Sequence, residues 1–270
     1  VNLAARAIRA GDGEVYIAGG VESMSRAPYA FSKNTGGGNL IAYDTALGWR
    51  FINPRMEALY GTDPMGVTAE NIAEMTGITR LEQDEFALAS HQRAIAAQDS
   101  GKFAEEILPV SVPQRKGDPI VISQDERPRR DTSLEALSRL KPAFKPNGTV
   151  TAGNSSGLND GAAAVLVMSA EKANALGLKP MARFISSAVS GIEPRIMGLG
   201  PIEATRRALT RAGLQVEDIA LAEINEAFAV QTLAVMRELG LPHTITNVNG
   251  GAIALGHPLG CSGARILTTL

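Results

Sequence analysis

The 270 residues contain one cysteine, Cys261, and three histidines. A lone thiol permits no internal disulfide. That excludes a small cross-linked secreted scaffold and fits a reducing compartment, so a cytoplasmic location is expected. Long apolar runs are missing as well: stretches such as residues 162–168 fall far short of the roughly 18 residues that span a bilayer, and no membrane partner is expected. Charge of one sign is also lacking, since 26 basic residues against 28 acidic ones leave a formal charge of -2. With no long-range field to attract nucleic acid, any anionic ligand has to be met by a few local residues. No metal site is expected.

What is present is a chain that is 44% hydrophobic and long enough for about two domains. "VNLAARAIRAG" predicts a helix closed by Gly11, followed by a turn at Asp12-Gly13 and a continuous, buried apolar strand from Val15 to Ala18. Helix followed by buried strand is the sign of an α/β layer. From Pro28 to about Gly61 the periodicity is lost among Gly36, Gly37, Gly38, prolines and aromatics, which predicts an inserted loop region. Thr79 and Glu82 form a capping box for a helix running to Gly101. "ILPVSVPQRKGDPIVIS" predicts two short strands around a basic turn, and "AAAVLVMS" and "MARFISSAVSG" predict further strands. Pro201 stands at the first position of a helix ending near Gly213. "IALAEI" predicts a last buried strand, which delivers Asn225 and Glu226 at its end. The sequence opens on a helix already under way at Val1 and stops inside an apolar helical pattern at Leu270, so truncation at both ends is expected and targeting signals are unreadable.

Three constellations carry chemistry. Gly153-x-Ser155-x-Gly157 matches the nucleophile elbow of serine hydrolases, and the order Ser155, Glu223 or Glu226, His257 would suit that fold. An elbow needs a strand before the serine and a helix after it, whereas Asn159-Asp160-Gly161 signals a turn into an apolar run. The sequon Asn154-Ser155-Ser156 reads as a chance match. In "EINEAFA", Asn225 and Glu226 can cap the following helix or meet a ligand at a strand end. In "NGGAIALGHPLGCSGARI", His257 sits in a glycine-lined bend fixed by Pro258, and imidazole is the side chain that takes a proton near neutral pH. Cys261, four residues on, reads as a small buried apolar residue.

Taken together, "AGGVESMSRAP", "GTVTAGNSSGLNDGAA", "PRIMGLGP", "NEAFA" and "NGGAIALGHPLGCSGARI" resemble the thiolase family of acyl-CoA C-acyltransferases over nearly the whole chain. The resemblance implies an α/β fold with five layers, α/β/α/β/α, built from two similar halves with an inserted loop domain. Residues 1–28 and 158–179 would be the remainder of the first half, 29–157 the loop domain and 180–270 the second half, the fold being incomplete here. The family's nucleophilic cysteine falls upstream of the equivalent of Val1 and its acid/base cysteine beyond that of Leu270. His257 would then activate a thiol outside this sequence, and this chain alone is expected to be inactive. Asn225 would hold a water that stabilises an oxyanion.

Coenzyme A, a substrate rather than a permanently bound cofactor, would meet Arg129, Phe144, Ser156, Met65, Met197 and Phe228, with Arg127 and Arg130 adjoining. Pro64 and Ala136 depart from the histidine and serine of some relatives. "GWRFINPRMEALYGTDPM" and "VPQRKGDPIVISQDERPRRDTSLEALSRL" most resemble the 3-oxoadipyl-CoA thiolases of aromatic catabolism, in which Arg50 or Arg55 would face a distal carboxylate. The resemblance also implies a homodimer or homotetramer. The alternatives are a non-catalytic CoA-binding remnant and a serine hydrolase using Ser155.

Overall fold

The computed structural model describes residues 1–33 and 38–270, so Gly36 and Gly37 of the expected glycine cluster lie outside the described residues. In chain order the elements run α1 (Asn2–Ala10), β1 (Val15–Ser23), β2 (Tyr29–Ala30), β3 (Tyr43–Asp44), α2 (Pro54–Tyr60), α3 (Met65–Thr76), α4 (Arg80–Asp99), β4 (Val110–Val112), β5 (Ile120–Ile122), α5 (Leu134–Ser138), β6 (Asp160–Met168), α6 (Ala170–Ala175), α7 (Gly200–Ala212), α8 (Ala229–Leu239), α9 (Ala252–Leu255) and α10 (Leu259–Thr269).

Local signals set many of these boundaries. Gly11 and Gly213 adopt the left-handed conformation that ends α1 and α7. At the start of α4 the Thr79 hydroxyl accepts from the Glu82 N–H, and the Glu82 carboxylate accepts from the Thr79 N–H at 2.7 Å. The bond from the Thr79 N–H, one from the Thr79 hydroxyl at 2.8 Å, and then Arg237 hold the Glu82 carboxyl down at about 2.

The two long strands among the described residues, β1 and β6, pair antiparallel from Val15 opposite Met168 to Ser23 opposite Asp160. Helix α10 packs across the inner face of this pair. The approach is close enough that a Cβ on Gly20 would run into the Gly260 carbonyl, and one on Gly260 into the Val21 carbonyl. The expectation that β1 is buried throughout is half right. Ala18 faces inward, but Ile17 and Val21 are 81% and 71% exposed, because successive side chains alternate faces and α10 covers only one of them.

Helix α8 is the other organising element. One side packs Val230 and Ala234 against Ala69 and Ile72 of α3 and against Val150. The other packs Val235, Met236 and Leu239 with Phe86 of α4 and Ile253 of α9. Burying one such aliphatic side chain contributes roughly 1.5–3 kcal/mol. An exposed ion pair such as Arg206 with Glu238 contributes about 0–1 kcal/mol, so packing rather than surface charge holds this region together.

Two expected strands are absent among the described residues. Residues 181–191 form no ladder: the Arg9 guanidinium donates to the carbonyls of Phe184 and Ile185 at 3.2 and 2.9 Å, and Arg211 donates to that of Ser187 at 2.6 Å. β-favouring side chains do not make a strand where side chains, not a second strand, supply the hydrogen bonds. Residues 219–224 make a single parallel bridge, Ala222 with Thr246. Beyond it the side-chain amide of Asn247 substitutes for a neighbouring strand, accepting from the Ile224 N–H and donating to the Ile224 carbonyl, both at 2.8 Å.

Candidate active site

Asn225 ends that extended segment, and His257 lies between α9 and α10. The fold brings them together, with Asn225 Nδ2 3.3 Å from His257 Nε2. An amide nitrogen can only donate, so Nε2 presents its lone pair. The other ring nitrogen agrees. His257 Nδ1 lies 2.6 Å from the Ser262 hydroxyl, and that hydroxyl spends its proton on the Pro258 carbonyl at 3.0 Å, so Nδ1 carries the hydrogen. Burial, and then the charge of Arg265, push the His257 pKa below the ordinary value. A ring held below its ordinary pKa is mostly neutral at pH 7, and Nε2, whose lone pair faces Asn225 Nδ2, is the ring atom able to take a proton. Asn225 Oδ1 is buried and has no hydrogen-bond partner among the described residues.

Cys261 does not join this pair. It is buried to 2% exposure, burial pushes its thiol pKa up, and its sulfur packs toward Gly161 of β6. A raised pKa is the opposite of what an activated thiol needs.

The elbow reading of Ser155 fails on context. The side chain is buried, its hydroxyl donates to the Thr151 carbonyl at 2.7 Å, no strand precedes it and β6 rather than a helix follows. Asn154 of the sequon is buried too, its amide accepting from the Thr151 N–H and donating to Asp84.

Of the other expected positions, Phe144 and Phe228 meet edge to face at 6.0 Å, and the Phe144 ring lies over Gly66, next to the exposed Met65 at the start of α3. Met197 is exposed on the 3-10 turn Pro194–Leu199, which packs against α3. Ser156 is held at Ala227, its N–H and hydroxyl both donating to the Ala227 carbonyl at 3.0 Å. The next residue, Gly157, lies under the guanidinium of Arg127. Residues Glu126–Asp131 surround an open depression of about 620 Å³. In it Arg129 is largely exposed, with Asp131 at 3.4 Å, and its N–H donates to the ring of buried His91 at 3.1 Å. Burial and the charges of Arg127 and Arg129 push the His91 pKa down to about 4. Arg50 and Arg55 are exposed, on the loop before α2 and in α2 itself.

Neither Asn225 nor Glu226 caps α8, whose N-cap is Phe228. Sequence reasoning missed what Glu226 does instead: its carboxylate accepts from Ser90, Asn247 and the Ile253 N–H. It named Glu223 only as a partner for Ser155 and missed its setting, in which the carboxyl is pushed up to about 7 by burial, opposed by Arg265 at 3.8 Å and reinforced by Glu226 and Glu106.

Residues 1–171 match the family description "Thiolase, N-terminal domain" and residues 178–270 "Thiolase, C-terminal domain". The chain belongs to the thiolase family. The "Beta-ketoadipyl-CoA thiolase" of Acinetobacter baylyi is 55% identical to this thiolase over 273 residues, covering 100% of this chain and 68% of its own. The "Acetyl-CoA acetyltransferase" of Chromobacterium violaceum is also 55% identical, with the same coverage. Among solved structures, the Bacillus anthracis acetyl-CoA acetyltransferase superposes with a TM-score of 0.92 at 46% identity, covering 100% of this chain and 67% of that one. The thiolase fold is therefore shown, and this chain spans about two thirds of the length of each of these relatives. These acyltransferase relatives leave the serine-hydrolase and non-catalytic readings without support. No helix among the described residues is long and apolar enough to cross a membrane.

Proposed function

We propose that this thiolase cleaves 3-oxoadipyl-CoA with free coenzyme A to acetyl-CoA and the shortened acyl-CoA, or runs the reverse Claisen condensation. The observation that carries the reading is the Asn225–His257 pair, with the unprotonated Nε2 at its centre. A thiol of ordinary pKa, ~8.5, is mostly protonated at neutral pH and needs a base to become a nucleophile. His257 is that base, and the thiol it serves is not Cys261. Once Nε2 holds the proton it becomes a donor, its contact with Asn225 Nδ2 opens, and with a water held by Asn225 Oδ1 it stabilises the enolate oxygen, an effect typically worth ~3–4 kcal/mol per donor.

Coenzyme A enters as a substrate, and no permanently bound cofactor is needed. Arg129, with Arg127 and Arg130, meets the nucleotide end, while Phe144, Phe228, Met65 and Met197 form the apolar wall beside the pantetheine arm. The Ser156 hydroxyl, having donated to Ala227, accepts from a pantetheine amide. Residues 29–157 act as a loop domain between a first half (1–28 and 158–179) and a second (180–270), in a cytoplasmic homodimer or homotetramer.

The name of the Acinetobacter relative supports the dicarboxylic substrate, for which Arg50 or Arg55 supplies the cation opposite the distal carboxylate. The test is thiolysis by the intact enzyme with 3-oxoadipyl-CoA and acetoacetyl-CoA side by side. Preference for the former, lost on changing Arg50 or Arg55 to Ala, is expected. Far better cleavage of acetoacetyl-CoA overturns the substrate assignment.

A further inference from the structure

Glu226 follows Asn225 directly, is 1% exposed, and its carboxylate hydrogen-bonds to none of the proposed coenzyme A contacts. Its carboxylate accepts from Ser90 Oγ at 2.6 Å, Asn247 Nδ2 at 2.8 Å and the Ile253 N–H at 3.1 Å. These donors come from three separate pieces of chain: α4, the turn that pairs with residues 222–224, and the first turn of α9. Gly251 lies so close that a Cβ there would collide with the carboxyl, and its N–H donates to Ser90 Oγ at 3.1 Å. Four residues after Ile253 comes His257.

We propose that Glu226 is a positioning residue that sets the Asn225–His257 spacing, pinning the first turn of α9 to the residue adjoining Asn225 and to α4. The proposal rests on the reading of Asn225 and His257 given above. Burying a carboxylate is costly, and an apolar side chain of the same size would serve stability at less cost. What an apolar side chain cannot do is hold three donors at fixed directions. Glutamine cannot do it either. One of its terminal atoms is an NH2 group, which would face either Asn247 Nδ2 or the Ile253 N–H, donor against donor. Asn247 cannot rotate to accommodate it, because its amide is already paired with Ile224 on both sides.

The experiment measures Glu226→Gln, Ser90→Ala and His257→Ala in the intact enzyme, each with kcat, the KM for coenzyme A, the pH dependence of kcat and a thermal unfolding curve. Displacing a catalytic group by about 1 Å costs on the order of 100-fold, so Glu226→Gln is expected to lose at least tenfold in kcat. Its KM for coenzyme A should stay within about twofold, and its pH profile should shift because the His257 ring has moved. A folded Glu226→Gln enzyme with kcat within about twofold of wild type overturns the proposal, as does an equal loss in kcat and coenzyme A affinity. Should Glu226→Gln fail to fold, Ser90→Ala decides. That variant removes one donor, is expected to lower kcat about threefold to tenfold at unchanged KM, and an unchanged kcat overturns the proposal. His257→Ala separates the two claims. If it retains turnover, the catalytic reading falls and the proposal with it; if it loses turnover while Glu226→Gln does not, only the positioning role falls.

Discussion

The Ser262 hydroxyl lies 2.6 Å from His257 Nδ1 while giving its own proton to the Pro258 carbonyl, so a serine one turn into α10 decides which nitrogen of the histidine is basic. Ser262→Ala removes that decision and lets the ring turn or change tautomer. The expected loss is about tenfold or more in kcat with little change in the KM for coenzyme A. Nitrogen-15 NMR of the labelled histidine should show the Nδ1–H form weakened. A variant with wild-type kcat would refute the assignment.

His257→Ala should lower both thiolysis and condensation by ~10²–10⁴, the usual contribution of a general base. Asn225→Ala should slow condensation with coenzyme A binding nearly unchanged, because its proposed partner is charge that develops only in the transition state. Steady-state kinetics in both directions, with calorimetric titration of coenzyme A, check this. Weakened binding at unchanged turnover would move Asn225 out of the chemistry.

Cys261 is expected to stay inert. Incubated with acetyl-CoA, the 270-residue chain should show no acetyl adduct at Cys261 by mass spectrometry, and a thiol reagent at pH 7.5 should label it only after denaturation. A stoichiometric acetyl thioester at Cys261 would show that the buried, high-pKa thiol is reactive after all.

Glu223 makes stability depend on pH. Its folded pKa of about 7 lies above the ordinary 4.5, so the protonated form is favoured on folding. That contribution is fully present below pH 4.5 and is lost as the pH rises through 7. Glu223→Gln should therefore raise the melting temperature at pH 8, on the order of 5 °C, and change it little at pH 4.5. An equal shift at both pH values would mean that the carboxyl ionises normally in the fold.

Sequence reading did well where the signal is local. Thr79 with Glu82, Gly11, Gly213 and the two short strands around the basic turn all stand where their own chemistry put them, and the family's motifs led to its fold. It did less well where the deciding partner is distant in sequence. Residues 181–191 have strand-forming side chains, yet Arg9 and Arg211 take their carbonyls. Glu226 looks like a cap for the helix that follows it and instead serves one that begins 26 residues later. Asn247 carried no signal at all in a polar loop, because its task of imitating a strand for Ile224 depends on a left-handed backbone at that residue, with φ of 49°.

The Gly20–Gly260 contact couples this sheet to the bend that carries His257. Helix α10 is seated by two missing side chains, and His257 stands just before it, so the depth at which the imidazole sits is governed by the thickness of a backbone on a strand more than 230 positions away. Even the smallest side chain at position 20 would act as a shim under the bend that carries His257. A side chain at this outwardly plain strand position would therefore be felt at His257 as well as in the fold.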